Sequence, residues 1–172
     1  TLALALCGCD PRVVYVHDRG GCDLSSSSST AESEPGSGST GGAPCPAFAD
    51  GLVSVGGREV MVHLGPDATG PIVVYLHGTY ETPESVMATD SAVQALASMV
   101  DAEGGALLLP RGRPQPAATY PWAVVSAGPE NADAIQDAAD ILAVTACAEA
   151  AGLGDRSVLS GFSAGAIAAS YI

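Results

Sequence analysis

The chain has 172 residues, enough for one ordinary domain or a piece of a larger one. Hydrophobic residues make up 47% and charged residues 15%, and the mean hydropathy is +0.28, which excludes a wholly disordered chain. Nineteen acids against six bases, every base an arginine, leave a formal charge of -13, which repels a phosphate backbone and argues against nucleic-acid binding.

The first residue is Thr1, not Met, and the last residues, Ala168-Ala169-Ser170-Tyr171-Ile172, stop within a helix-compatible run. The expectation is a fragment open at both ends. Thr1 to Gly8 form an apolar run too short for a bilayer, which takes about 20 residues. It matches the end of a secretory signal, and Leu6-Cys7-Gly8-Cys9 resembles a bacterial lipobox in which Cys9 receives the lipid. Residues 1–9 are thus expected to end an export signal, making the product a cell-envelope lipoprotein or an extracellular protein of a bacterium. Its only membrane contact would be the lipid anchor.

Residues 10–46 read as a tether. Beyond the apolar patch Val13-Val14-Tyr15-Val16 come five consecutive serines, Ser25 to Ser29, and then SEPGSGSTGGAP. Such a segment cannot bury enough apolar surface to offset chain entropy and is expected to be flexible. Residues 47–172 carry the folded domain. Leu52 to Val55 and Arg58 to Leu64 predict two strands around the turn Gly56-Gly57, with Val60, Val62 and Leu64 on one face of the second. Ile72 to Leu76 is a continuous apolar run, expected to be covered on both faces.

Thr82-Pro83-Glu84-Ser85 then supplies an N-cap, a first-turn proline and an early acid. The spacing of Val86, Val93, Leu96 and Val100 predicts one helix from Pro83 to about Ala102. Ala106 to Leu109 is a second buried strand, followed by a proline-rich loop holding Arg111, Arg113, Tyr120 and Trp122. Asn131 caps a further predicted helix with the stripe Ile135, Ala138, Leu142 and Ala146, ending at Gly152. Ser157 to Ser160 is a third buried strand, and a helix begins near Ala164. Apolar strands alternating with helices predict an α/β fold with a mostly parallel sheet and flanking helices.

Gly161-Phe162-Ser163-Ala164-Gly165 fits G-x-S-x-G, directly after a buried strand and before a helix. That is the placement of a nucleophile elbow, in which glycines permit the sharp turn and the serine hydroxyl is lifted clear of the sheet. His77-Gly78 opens the loop after the first buried strand, and ligands collect at such strand ends in parallel sheets. A backbone N–H from this loop, with that of Ala164, is suited to hold an oxyanion. His77 lies in the wrong loop for a general base and is expected to be architectural. Trp122 and Tyr120 are readable either as pocket lining or as packing under the loop; Arg111 and Arg113 as solvated charges.

VVYLHG, a helix, LLLPRG with a downstream tryptophan, and DRSVLSGFSAG together resemble the first half of an α/β-hydrolase serine esterase, over Gly51 to Ile172. Two branches are similar: the secreted polyhydroxybutyrate depolymerase and feruloyl esterase-like group, and the phospholipase/carboxylesterase group. The resemblance implies an incomplete hydrolase fold truncated just after the elbow, with Ser163 as nucleophile and the amides of Thr79 and Ala164 as oxyanion donors. Gly78, Gly161 and Gly165 are the loop and elbow glycines. It also implies a carboxylic ester as substrate, small or polymeric, and no cofactor. The family's chain order is serine, acid, histidine. Nine residues follow Ser163, none an acid or histidine, and His17, His63 and His77 all precede it. The 172 residues are therefore expected to be inactive alone, and the sheet to present an unpaired edge that favours aggregation. The reading from another class is a non-catalytic surface lipoprotein that uses this fold for binding.

Cysteines at 7, 9, 22, 45 and 147 lack zinc-type spacing, so no metal is expected. A bridge between Cys45 and Cys147 would pin the end of the tether to a helix; the spacing alone leaves the pairing open.

Overall fold

A computed structural model describes residues 13–17, 45–67, 70–114, 121–154 and 156–172. Strand β1 (Val13–His17) comes first in the chain, and β2 (Gly51–Val55) and β3 (Arg58–Leu64) form an antiparallel hairpin. Its turn residues Gly56 and Gly57 have φ of 59° and 90°, the two left-handed conformations that a two-residue hairpin turn matching strand twist demands. Along β3 the alternation holds: Val60 and Val62 are buried, Met61 and His63 partly open. Arg58 lies on the buried face as well, which the alternation did not lead one to expect of a charge.

Strands β4 (Pro71–Leu76) and β5 (Ala106–Pro110) are buried throughout, and β6 (Arg156–Gly161) is buried only in part. The sheet order is β1-β6-β4-β5-β3-β2. Strand β4 runs parallel to β5 and β6; every other pairing is antiparallel. The sheet is thus mixed, and the expectation of a mostly parallel one is corrected: three central strands are parallel, and the flanking strands reverse. The α/β class stands. Within residues 10–46, expected to be tether throughout, Val13–His17 is a strand whose backbone pairs along β6 from Val13 opposite Gly161 to His17 opposite Ser157. It therefore occupies the β6 edge that was expected to be bare.

The predicted helix over 83–102 is two helices, α1 (Pro83–Thr89) and α2 (Ser91–Glu103). Asp90 ends one and starts the other: its backbone is extended (φ -83°, ψ 113°), and its side chain accepts from the amides of Ala92 and Val93. An acid able to cap amides two and three residues ahead outweighs helical continuity here. Thr82 and Ser85 cap α1 reciprocally, with Pro83 in the first turn.

Beyond β5 come the short helix α3 (Ala123–Ala127), then α4 (Ala132–Ala150), capped by the Asn131 side chain, and, after β6, α5 (Ala164–Ala169). The stripe expected on α4 is off by one position. Ala134, Asp137, Ile141, Val144, Cys147 and Ala148 are buried, whereas Ile135 and Leu142 are more than half exposed. The series 134, 137, 141, 144, 148 is as regular as the one first read, but it contains an aspartate. Two tertiary bonds select it: Cys147 is disulfide-bonded to Cys45, and Asp137 is buried in ion pairs with Arg58 and Arg113.

The helices cover both faces. Val73, Tyr75, Leu107 and Leu109 pack with Val86, Val93 and Val100 of α1 and α2. Ile72, Val74, Leu76 and Leu108 pack with Trp122, Ile141, Val144 and Ala168 on the other face. This three-layer arrangement leaves the carboxyl ends of β4 and β6 side by side, with Leu76 opposite Gly161. No helix among the described residues is long and apolar enough to cross a membrane.

Candidate active site

Strand β6 ends at Gly161, and α5 starts at Ala164, leaving two residues for the reversal. The Phe162 amide donates to the Leu76 carbonyl (3.1 Å) and the Gly165 amide to the Phe162 carbonyl (2.8 Å), drawing the turn onto the end of β4. A Cβ on Gly161 would lie 2.6 Å from the carbonyl carbon of Gly165. One on Gly165 would strike the Leu76 carbonyl oxygen and approach that of His77 to 2.7 Å. Both glycines are therefore required by close backbone approach, as expected of an elbow. Ser163 takes up the curvature: its φ is +51° and ψ -117°, a conformation that costs a side-chain-bearing residue about 1–3 kcal/mol, and its side chain is exposed.

The loop after β4 runs directly against this turn. A Cβ on Gly78 would sit 3.4 Å from the Cβ of Ser163 and 3.2 Å from Phe162 Cδ1. Thr79 is half-buried and Ala164 is 2% exposed, and the amide of neither donates to any group among the described residues. Ala164 is the first residue of α5, where an amide has no partner within the helix, and Thr79 is partly open to solvent, so both amides are free to meet an acceptor. The structure thus sets Gly78, with Thr79 next in the chain, against the turn that holds Gly161, Ser163, Ala164 and Gly165. Cys9, the expected lipidation site, lies outside the described residues, as does Tyr120.

His77 has the architectural role expected of it. It is 2% exposed; the Gly112 amide donates to its Nε2 (3.0 Å), and its Nδ1 lies 2.9 Å from the Gly78 carbonyl oxygen. An N–H can only donate, so Nε2 is the bare nitrogen, and Nδ1–H donates to Gly78: the ring is neutral. Burial holds its pKa below the usual histidine value, against the opposing pull of the Gly78 hydrogen bond and of Glu81. Trp122 Nε1–H donates to the His77 carbonyl (2.8 Å), and the rings lie 5.3 Å apart. Trp122 is 1% exposed and packs in the core under the loop, and it also lines the groove beside α4. His63 sits at the other end of the sheet, opposite Leu107 and 2.8 Å from Asp101.

Three contributors escaped the sequence reading. Glu81 reaches back so that its Oε2 accepts from the Gly78 amide at 2.6 Å. Asp137 accepts from Arg58 Nη2 (2.7 Å), Arg113 Nε (2.8 Å) and the Ala123 amide (2.9 Å), and so fastens β3 and the loop behind His77 to α4. Arg58 also donates to Asp140 and to the Arg111 carbonyl, and its guanidinium lies 6.0 Å over Trp122. A lone acid on an otherwise apolar helical series was the available signal for Asp137; Glu81 has none in the sequence. Arg111 pairs with Glu59 and Glu84, and Arg113 with Asp133 and Asp137, so neither arginine is merely solvated.

A groove of about 350 Å³ opens elsewhere, between α4 and α5, lined by Ile135, Leu142 and Tyr171 among others and by no residue of the crevice. No group of side chains suited to a metal ion occurs among the described residues. No family model matches the chain, and no curated protein or solved structure does either.

Proposed function

We propose that the chain belongs to a serine hydrolase of the α/β-hydrolase type that cleaves carboxylic esters through an acyl-enzyme on Ser163. The observation that carries this reading is the exposed, strained Ser163 on a glycine-flanked strand-to-helix turn packed against the Gly78 loop, the placement an acyl-transfer nucleophile needs. Ser163 Oγ attacks the ester carbonyl carbon, and its proton passes to a general base. The amides of Thr79 and Ala164 receive the negative oxygen of the tetrahedral intermediate. Collapse expels the alcohol, which takes the proton back from the base, and water then hydrolyses the acyl group by the same route.

The base comes from outside the described residues. His77 has both nitrogens engaged, and His63 stands at the opposite end of the sheet. Export fits the same reading: the Cys45–Cys147 bridge persists only under oxidising conditions, and the lipobox-like Leu6 to Cys9 would attach the domain to the bacterial envelope. The test is labelling of the full-length protein by a fluorophosphonate. Modification of Ser163 that is lost in Ser163→Ala supports the hydrolase, and an unlabelled protein supports a surface binding protein on the same scaffold.

A further inference from the structure

Glu81 is a half-buried carboxylate beside the nucleophile, and no cation pairs with it among the described residues. The Cβ position of Gly78 lies 2.9 Å from Glu81 Oε2 and 3.4 Å from Ser163 Cβ, so the carboxylate oxygen is at most roughly 6 Å from that Cβ and roughly 8 Å from the hydroxyl it carries. Arg111, on the neighbouring loop after β5, is held by Glu59 and Glu84. Glu81 cannot drift away, because the Gly78 amide holds it at 2.6 Å. Next to it in the chain Tyr80 is 83% exposed, its backbone at a left-handed φ of 65°, so its ring is open to an incoming ligand.

A fixed negative charge here opposes the oxyanion that Thr79 and Ala164 would stabilise, and a neutral ester bears that penalty in full. An ester carrying its own cation beside the scissile carbonyl would not, because the cation pairs with Glu81 and lies against the Tyr80 ring. Building on the reading of Ser163 as nucleophile, we propose that Glu81 and Tyr80 are specificity-determining residues that select esters bearing an ammonium group within a few ångströms of the reacting carbon. The chain's formal charge of -13 concentrates such substrates at its surface.

Glu81→Gln separates charge from positioning, because the amide oxygen still accepts from the Gly78 N–H. The full-length protein is assayed with p-nitrophenyl butyrate and with p-nitrophenyl 4-(trimethylammonio)butyrate. A unit charge roughly 6–8 Å away, discounted for partial exposure, predicts that the cationic ester leads by several-fold to roughly tenfold in kcat/KM. Glu81→Gln should erase most of that lead and speed the neutral ester, and Tyr80→Ala should raise KM for the cationic ester several-fold more than for the neutral one. Equal rates for the two esters in the parent protein, or a preference untouched by Glu81→Gln, overturns the proposal while Ser163-dependent turnover keeps the hydrolase reading. Absence of Ser163-dependent turnover of either ester sinks both.

Discussion

Asp137 is the acid on which the scaffold behind the crevice turns. Replacing it by alanine removes one carboxylate that serves Arg58, Arg113 and the Ala123 amide, on a side chain 7% exposed. Breaking a buried ion pair from one side costs about 3–5 kcal/mol, because the remaining charge stays buried. Arg58 keeps Asp140, at 2.6 Å, and the Arg111 carbonyl, at 2.8 Å, which places the loss near the lower bound, about 3 kcal/mol. Against a total stability of roughly 5–15 kcal/mol, that is a large fraction. Urea unfolding followed by Trp122 fluorescence should show the midpoint falling by about 1.5 M for an m-value near 2 kcal/mol/M. The double variant Arg58→Met/Asp137→Leu should recover part of the loss, since the buried Arg58 no longer lacks its carboxylate, while the more exposed Asp140 and Arg113 each lose one partner. A loss below about 1 kcal/mol, or a double variant no better than the single one, would refute the account of Asp137 as a buried clamp.

Ser163→Gly should abolish fluorophosphonate labelling yet raise stability by about 1 kcal/mol, because glycine adopts φ +51° without strain; a destabilised variant would contradict the strained elbow. The Cys45–Cys147 bridge closes a loop of 102 residues, and Cys147→Ser should cost about 4–5 kcal/mol in the chain-entropy account, seen as a lower melting temperature that reductant no longer changes. His77 is held neutral in the fold with its pKa below the unfolded value, so below about pH 6.5 the unfolded chain binds more protons. Stability is then fully present above that pH and declines as pH falls toward the lowered value. His77→Gln should flatten this part of the melting-temperature profile between pH 7 and 5, and parallel profiles would exclude the buried neutral ring.

Most of the crevice was legible because local rules place it. A strand-length apolar run followed by G-x-S-x-G dictates a turn, and the residue types there leave little choice: Gly161 and Gly165 meet backbone atoms, so no other residue fits. The same holds for the Gly56-Gly57 hairpin and the Asn131 cap, whose partners lie within a few residues. The misreadings share one cause. Ile135 and Leu142 continue a helical stripe as well as Ile141 and Val144 do, and periodicity cannot rank two equally regular faces. The division of the helix over 83–102 hinged on which conformation Asp90 prefers, a competition decided by small energy differences.

Residue order was thus sufficient for the elements, for the turn that lifts Ser163 and for the glycines that let it form, since each follows from conformations and contacts between near neighbours. What came only with the assembled fold was the mixed pairing of the sheet, the face that α4 buries, the partners of Arg58 and Asp137, and the placing of Glu81 on the Gly78 amide. Charge pairing and the bridge to Cys147 act between groups that are mostly far apart in the chain, and Glu81, though only three residues from Gly78, reaches it through a turn that no pattern of residue types announces. Their energies depend on distance and burial, quantities that exist only once the layers have closed.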